Sequence, residues 1–365
     1  MTLHAYFARR FLRAFGVLAL LLCLLTALIE LIEQIRILSD TSAGFADSVR
    51  MALLHAPETI YEILPLIAIL ATVATYLGLA RSSEMVVVRA AGRSGLTSLL
   101  APMAAMLVIG ILALAVINPI VATTARQYSA LRDFYRFGTT DALSISQDGL
   151  WLRQGGPEGQ TVIRADRADE DGARLHGATF YTYAPEGGLT GRIEAEVARL
   201  GGGVWRLRNV TQWNFDGVVN PEAQVVVRAE MTLPSTLTVD RIREGFSRPL
   251  TVSVWDLPAY ADTLEEAGFT ARRHLLRFQT ELARPVFLTA LVMIAAAFTM
   301  RHIRSGRTGI AVLASVLVGF ALHYIRNFAQ ILGENGQVPL IVAAWTPPVA
   351  AVMLALGLIL HQEDA

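Results

Sequence analysis

The sequence predicts an α-helical integral membrane protein with six transmembrane helices, three on each side of an inserted all-β domain of jelly-roll type. Three observations carry that expectation. Of the 365 residues, 53% are hydrophobic and 17% charged, against about 45–50% apolar and about 25% charged in soluble domains. Long uncharged runs come in two groups of three. Between the groups the chain turns polar and rich in turn residues.

Composition also excludes several classes. Apolar residues are too abundant for a disordered chain. Cys23 is the only cysteine, so no intrachain disulfide framework exists. The 31 basic and 31 acidic residues cancel, which leaves none of the bulk positive charge of a nucleic-acid binder. Every basic residue is arginine, a bias without a physical account.

A helix needs about 20 mostly apolar residues to cross the hydrocarbon core. The runs that meet this are residues 14–29 (between Arg13 and Glu30), 63–80, 96–120, 285–300, 308–325 and 338–360. The expected division is therefore 1–125 for spans one to three, 126–275 for the β domain and 276–365 for spans four to six. Arginine placement sets the orientation. Arg9, Arg10, Arg13, Arg81, Arg89, Arg93, Arg301, Arg304 and Arg307 flank one side, against Arg36, Arg50 and Arg326 on the other. The positive-inside rule then places both termini in the cytoplasm and the insert outside, in the periplasm of a cell with an inner membrane. Arg9-Arg10 faintly suggests a twin-arginine signal and Cys23 a lipoprotein cysteine. No small-residue cleavage site follows the run, and Leu22 is too large for a lipobox, so an uncleaved first span is expected.

Within the insert, strands are expected at 150–153, 161–165, 178–183, 192–200, 204–210 and 223–231, separated by turn clusters such as Gly201-Gly202-Gly203. Alternation in Arg192-Ile193-Glu194-Ala195-Glu196-Val197 leaves one face apolar and one wet. A helical segment at 257–277 leads back to the membrane.

No catalytic pattern appears: no nucleophile elbow, zinc motif or phosphate loop. Histidines are scattered, and His176 reads as a solvated loop residue. Energy for active transport would thus come from a partner. The stretch Ser82-Ser83-Glu84 to Gly92 carries a capping serine, an early acid and a terminal glycine. It describes a short amphipathic helix at about 82–92 between spans two and three, either resting in the headgroups or coupling to a cytoplasmic ATPase. On span five, Ala311, Ser315 and Gly319 form a row of small residues continued by His323 and Asn327. Such a row admits close helix approach, within this bundle or at a gate. Glu30, Glu33 and Arg36 repeat at the outer end of span one. Glu33 and Arg36 can pair locally, and snorkelling is the favoured reading over lining of a pathway.

Over nearly its whole length the chain resembles the LptF/LptG permeases of the lipopolysaccharide-export ABC transporter. The resemblance is carried by Tyr6-Phe7-Ala8-Arg9-Arg10-Phe11-Leu12, the 81–92 stretch around Ser83-Glu84, and Ser146-Gln147-Asp148-Gly149-Leu150-Trp151. Trp205-Arg206-Leu207, Leu257-Pro258 and residues 333–347 continue it. Each piece is short; their order on a three–insert–three layout is specific. The N-terminal start and residues 255–273 resemble the LptG branch more than the LptF branch.

The resemblance implies a half-transporter of the inner membrane that extracts lipopolysaccharide. It would pair with an LptF-like permease, sit on an LptB-like ATPase dimer and deliver to LptC-like and LptA-like bridge proteins. No cofactor is expected in this chain; ATP and Mg belong to the partner ATPase. Glu84 matches the family's coupling-helix acid, with Arg81, Ser83, Met85, Arg89 and Gly92 around it. The lateral gate and substrate candidates are Glu30, Glu33, Arg36, Ala311, Ser315, Gly319, His323 and Arg326. One departure stands out: family members can use basic residues at the outer end of span one against lipid A phosphates, whereas Glu30 and Glu33 stand here and leave Arg36 as the candidate, to which Arg326 at the outer end of span five could add. Two alternatives remain: a mechanotransmission-type ABC subunit acting on a periplasmic partner, which would have four spans, or a membrane-anchored envelope enzyme or receptor.

Overall fold

The computed structural model describes residues 2–39, 43–90, 92, 94–137, 143–146, 149–156, 159–169, 172–185, 188–215, 225–239, 242, 249–266, 269–300 and 308–363. Six helices are long and apolar enough to cross a membrane, three before and three after a β-sheet region. Span one is α1 (Thr2–Leu38) and span two is α2 (Phe45–Arg81), followed by the short α3 (Glu84–Ala90). Span three is built from α4 (Gly95–Leu112), a π turn (Ala113–Ile117) and the start of α5 (Asn118–Phe137). After the sheet come α6 (Leu257–Glu266), α7 (Arg272–Thr299, span four), α8 (Thr308–Glu334, span five) and α9 (Leu340–Glu363, span six). Two compact units result: residues 1–125, 253–255 and 275–365 form one, and residues 126–252 and 256–274 the other.

The helices outrun the uncharged runs that identified them. α2 begins at Phe45 rather than near 63, and α7 at Arg272 rather than 285. A helix need not stop at a charged residue that has a partner: His55 of α2 faces Glu30 of α1, and in α7 Glu281 accepts from Tyr61 of α2 and pairs with Arg277 and Arg284 of its own helix. The return segment expected as one helix is two, α6 and α7, with residues 269–271 outside helix between them.

Spans two and four form the centre of the helical unit. In the most apolar window of span four 78% of residues are buried and in span two 61%, against none in span one. Ile67, Ala68, Ala71 and Tyr76 of α2 meet Phe287, Leu291, Ile294 and Ala295 of α7 in a single core. Span one touches that core mainly through Phe7 and Phe11 near its start. Its middle exposes Val17, Leu20, Leu21, Leu24 and Leu28, an apolar face for lipid or a second chain.

Gly110 in span three exists for contact: a Cβ there would lie 2.8 Å from Pro285 Cα and 3.0 Å from Pro285 Cβ of α7. Because backbone is in the way, Gly110→Ala is expected to destabilise the protein by about 1–3 kcal/mol. At Gly319 of α8 the nearest atom is the mobile tip of Ile69, 2.3 Å from the added carbon, so Gly319→Ala is expected to cost less. Thermal midpoints in detergent rank the two; equal shifts would contradict this account of the packing.

In the second unit the sheet comprises β1 (Leu143–Ser146), β2 (Gly149–Gly156), β3 (Gly159–Ala165), β4 (Arg167–Ala168), β5 (Arg174–Tyr183), β6 (Leu189–Gly201), β7 (Val204–Asn214) and β8 (Val226–Pro234). All pairings are antiparallel along the order β1-β2-β3-β5-β6-β7-β8, with β4 on β5. The sheet is rolled. Gln154 of β2 donates from Nε2 to the carbonyl of Pro234 at the end of β8 (3.3 Å) and accepts from Ser235 Oγ (3.0 Å). Strands far apart in the pairing order meet only if the sheet curls, which encloses the inward residues Leu152, Ile163, Phe180, Ile193, Trp205 and Leu207. Phe180 and Trp205 pack edge to face, with ring centroids 5.8 Å apart. This is the rolled, one-face-apolar architecture the alternation predicts; β1 and β4 are additions to the expected strands.

Candidate functional site

Three clusters in the helical unit hold the polar chemistry. The first joins the start of span one to α3. Ser83 has φ 56°, a left-handed turn that breaks α2 and starts α3. This turn brings Glu84 beneath α1. Tyr6 Oη donates to Glu84 Oε2, and Arg10 Nη1 and Ser82 Oγ donate to Oε1, each at 2.6 Å. Arg10 also donates to Tyr6 Oη at 2.6 Å. Burial alone would raise the Glu84 carboxyl above its ordinary 4.5, but the hydrogen bonds from Ser82, Tyr6 and Arg10 outweigh it and hold it at about 2. Glu84 is therefore ionised at every physiological pH.

α3 has two faces. Met85 and Val88 are buried in the helical core, while Val86 and Val87 are exposed. Arg81 and Ser83 are exposed, Gly92 takes φ 72° as a helix-ending glycine does, and Arg89 lies on α3 with its side chain outside the described residues. The short amphipathic helix read from the sequence is present over Glu84–Ala90 rather than 82–92, and Ser82 Oγ donates to Glu84 Oε1 and the Gly78 carbonyl instead of capping it; the structure adds Tyr6 and Arg10, which sequence spacing did not link to Glu84.

The second cluster lies at the other end of span one. Glu30 accepts from Gln34 Nε2 at 2.5 Å and pairs with His55 Nδ1 of α2 at 2.9 Å. It turns towards span two rather than snorkelling, because His55 offers a partner. Glu33 and Arg36 do pair locally, Arg36 Nη2 to Glu33 Oε1 at 2.6 Å and Nε to Oε2 at 3.0 Å, and both are exposed.

The third cluster went unforeseen and ties spans two and four. Glu281, with a side chain 2% exposed, accepts from Tyr61 Oη at 2.5 Å and from Arg284 Nη2 at 3.1 Å. Arg284 Nε stands 2.9 Å and Arg277 Nη2 3.4 Å from its oxygens. Arg284 also donates to the Tyr61 carbonyl (3.1 Å) and stacks 3.9 Å over the Tyr61 ring. The i, i+4 and i+7 spacing of Arg277, Glu281 and Arg284 on one helix face was the available signal. Nearby on span five, Arg326 is 5% exposed. It faces the Phe287 ring at 5.0 Å, without a carboxylate in hydrogen-bond reach among the described residues.

The small row of span five faces inward. Ser315 is fully buried with Oγ donating to the Val312 carbonyl at 2.8 Å, Gly319 meets Ile69 and Leu291, and Ala311 is half-buried. His323 Nε2 lies 3.3 Å from Asn327 Nδ2. The opposite face exposes Leu313, Leu317, Phe320 and Tyr324. Among the described residues no cluster of three or more histidine, cysteine or acidic side chains is arranged to hold a metal.

Six spans around a helical core, a rolled β domain inserted between the third and fourth, and a clamped helix between the second and third define a multi-pass membrane protein with an extramembrane β domain. Residues 5–361 match the family described as lipopolysaccharide export system permease LptF/LptG, and the chain belongs to that family. It is similar to the lipopolysaccharide export system permease protein LptG of Haemophilus influenzae (strain Rd), with 24% identity over all of this chain and 99% of that one. It is also similar to the LptG protein of Escherichia coli K12, with 23% identity over 93% of this chain and 92% of that one.

Proposed function

We propose that this protein is the LptG-type half of an inner-membrane exporter that extracts lipopolysaccharide and passes it to a periplasmic bridge, driven by a separate cytoplasmic ATPase. The observation that carries the reading is α3. It is anchored to span one by the Glu84 carboxylate and presents Val86 and Val87 outward, the arrangement required of a helix that docks in a nucleotide-binding subunit and relays its movement to a gate. Both termini lie in the cytoplasm in this scheme and the β domain in the periplasm, as the arginine distribution favours.

A second, LptF-like permease completes the cavity. The exposed apolar faces of span one and of span five (Leu313, Leu317, Phe320, Tyr324) are its contact and gate surfaces; the small row Ala311, Ser315, Gly319 serves packing behind them. Lipid A phosphates are drawn to guanidinium groups through bidentate, charge-assisted bonds. Arg36 is exposed but paired with Glu33, and Arg326 is without a carboxylate partner but buried against Phe287, so a phosphate contact here comes either from Arg36 on release by Glu33 or from Arg326 on movement of span five.

Affinity purification of the protein from its own membranes in mild detergent tests the reading. An ABC-type ATPase, a second six-span permease and bound lipopolysaccharide are the expected companions. Recovery of the intact protein with no ATPase in any detergent that preserves its fold would overturn it.

A further inference from the structure

At its outer end span one meets span two through a contact that changes with a proton. His55 of α2 turns both ring nitrogens to carboxylates. Nδ1 lies 2.9 Å from Glu30 of α1, and Nε2 lies 3.8 Å from Glu58 of its own helix. The side chains of His55, Glu30 and Glu58 are 28%, 14% and 17% exposed, so water screens the group only in part. Glu30 is held further by Gln34 Nε2 at 2.5 Å, and Gln34 is itself buried. The other charges beside Glu58 are Glu62 of α2 and Arg277 of α7. Arg277 also faces Glu281 at 3.4 Å. Among the described residues, then, Glu30, Glu58 and Glu62 gather around the imidazole, with one shared arginine to offset them.

A neutral imidazole has one N–H and one lone pair, whereas the imidazolium donates from both nitrogens. Only the charged ring can pair with Glu30 and Glu58 together. Loss of the proton either turns a lone pair towards a carboxylate or leaves Glu30 with a neutral donor in place of an ion pair. Histidine is the side chain whose charge ordinarily changes between about pH 5 and 8. The pairs Arg10–Glu84, Arg36–Glu33 and Arg284–Glu281 of the same unit use arginine, whose charge is fixed in that range. Span one also has the least support from the core. No residue of its most apolar window is buried, against 22–78% in the other five spans.

We propose that His55 is a proton-operated latch on span one. Protonated, it ties Glu30 of α1 to Glu58 of α2; neutral, it lets the outer half of span one loosen from span two. On the transport reading span one is a contact and gate surface, so its hold would follow the pH on the outer side. The latch itself does not rest on that reading and stands whatever the protein carries.

Hydrogen–deuterium exchange read by mass spectrometry tests it, on the full-length protein in phosphatidylcholine nanodiscs with any subunits that co-purify. Protection of residues 26–38, corrected for the intrinsic pH dependence of amide exchange, is expected to fall at least about tenfold in the wild type from about pH 5.5 to about 8.5. Protection of residues 287–297 in span four should not change. In His55→Gln the fall should vanish. Glu58→Gln keeps the contact with Glu30 but removes the second acid, so the midpoint of the fall should move to lower pH by about one unit. A merely structural contact would not move that midpoint, and it decides the matter alone if His55→Gln does not fold. No fall in the wild type, a fall that persists in His55→Gln, or an unmoved midpoint in Glu58→Gln would each overturn the latch.

Discussion

Glu281→Ala is expected to destabilise the protein more than any other single side-chain truncation in the helical unit, by about 3–5 kcal/mol. Removing one partner from a buried ion pair leaves the other charge uncompensated in a medium that cannot solvate it. Here the stranded group is Arg284, whose guanidinium lies over the Tyr61 ring and loses both carboxylate contacts at once. Tyr61→Phe removes the hydroxyl with its 2.5 Å hydrogen bond to Glu281 and its contact with Asn118 while keeping the ring under Arg284, and should cost about 1.5–3 kcal/mol, the range for hydrogen bonds to charged groups. Unfolding midpoints of purified variants in one detergent give the order wild type, then Tyr61→Phe, then Glu281→Ala. A Glu281→Ala protein within about 0.5 kcal/mol of wild type would show that the cluster does not hold spans two and four together.

Glu84→Ala is expected to uncouple ATP hydrolysis from transport, lowering ATP-dependent lipid release at least about tenfold, an energy of about 1.4 kcal/mol. The carboxylate receives three hydrogen bonds at 2.6 Å, from Tyr6, Arg10 and Ser82. Its loss frees α3 from span one while Met85 and Val88 still hold the helix on the core. The variant should therefore keep its fold and still bind the proposed ATPase while losing the proposed relay. The pH dependence follows from the depressed carboxyl. Its stabilisation is complete above the ordinary value of 4.5 and lost as pH falls through about 2. A side chain 34% exposed is partly screened by water, so this contribution is modest. Coupling ratios measured between pH 6 and 8 should show no step from Glu84. A step in that range that vanishes in the variant would contradict the assignment.

Much of this architecture is legible in the sequence because the bilayer permits few solutions. Hydrocarbon demands long apolar helices, and the six uncharged runs mark them. The strand alternation from Arg192 to Val197 marks a sheet with one buried face just as directly, and β6 lies there. The ends of elements were harder to read, for a definite reason. Charges mark span boundaries in the sequence, yet α2 runs through His55, which faces Glu30 of span one, and α7 runs through Glu281, which accepts from Tyr61 of span two. Contacts across helices let α2 and α7 continue past the charges, and no local pattern announces a partner 25 or 220 residues away. The same blindness hid Tyr6 and Arg10 from Glu84, although all three stood in stretches already singled out. The small row on span five was visible, but a period alone does not reveal whether a face meets its own bundle or another chain. Ile69 and Leu291 against Gly319 answer that question.

The account rests on this chain being a moving part of a lipopolysaccharide exporter, and one measurement tests that most directly. The protein, purified with its companion subunits and sealed in proteoliposomes loaded with lipopolysaccharide, is mixed with a soluble periplasmic acceptor and supplied with ATP. Transfer of lipopolysaccharide to the acceptor that requires ATP, and that stops in Glu84→Ala while hydrolysis continues, is the predicted result. ATP hydrolysis by the intact wild-type complex with no lipopolysaccharide leaving the membrane would contradict it.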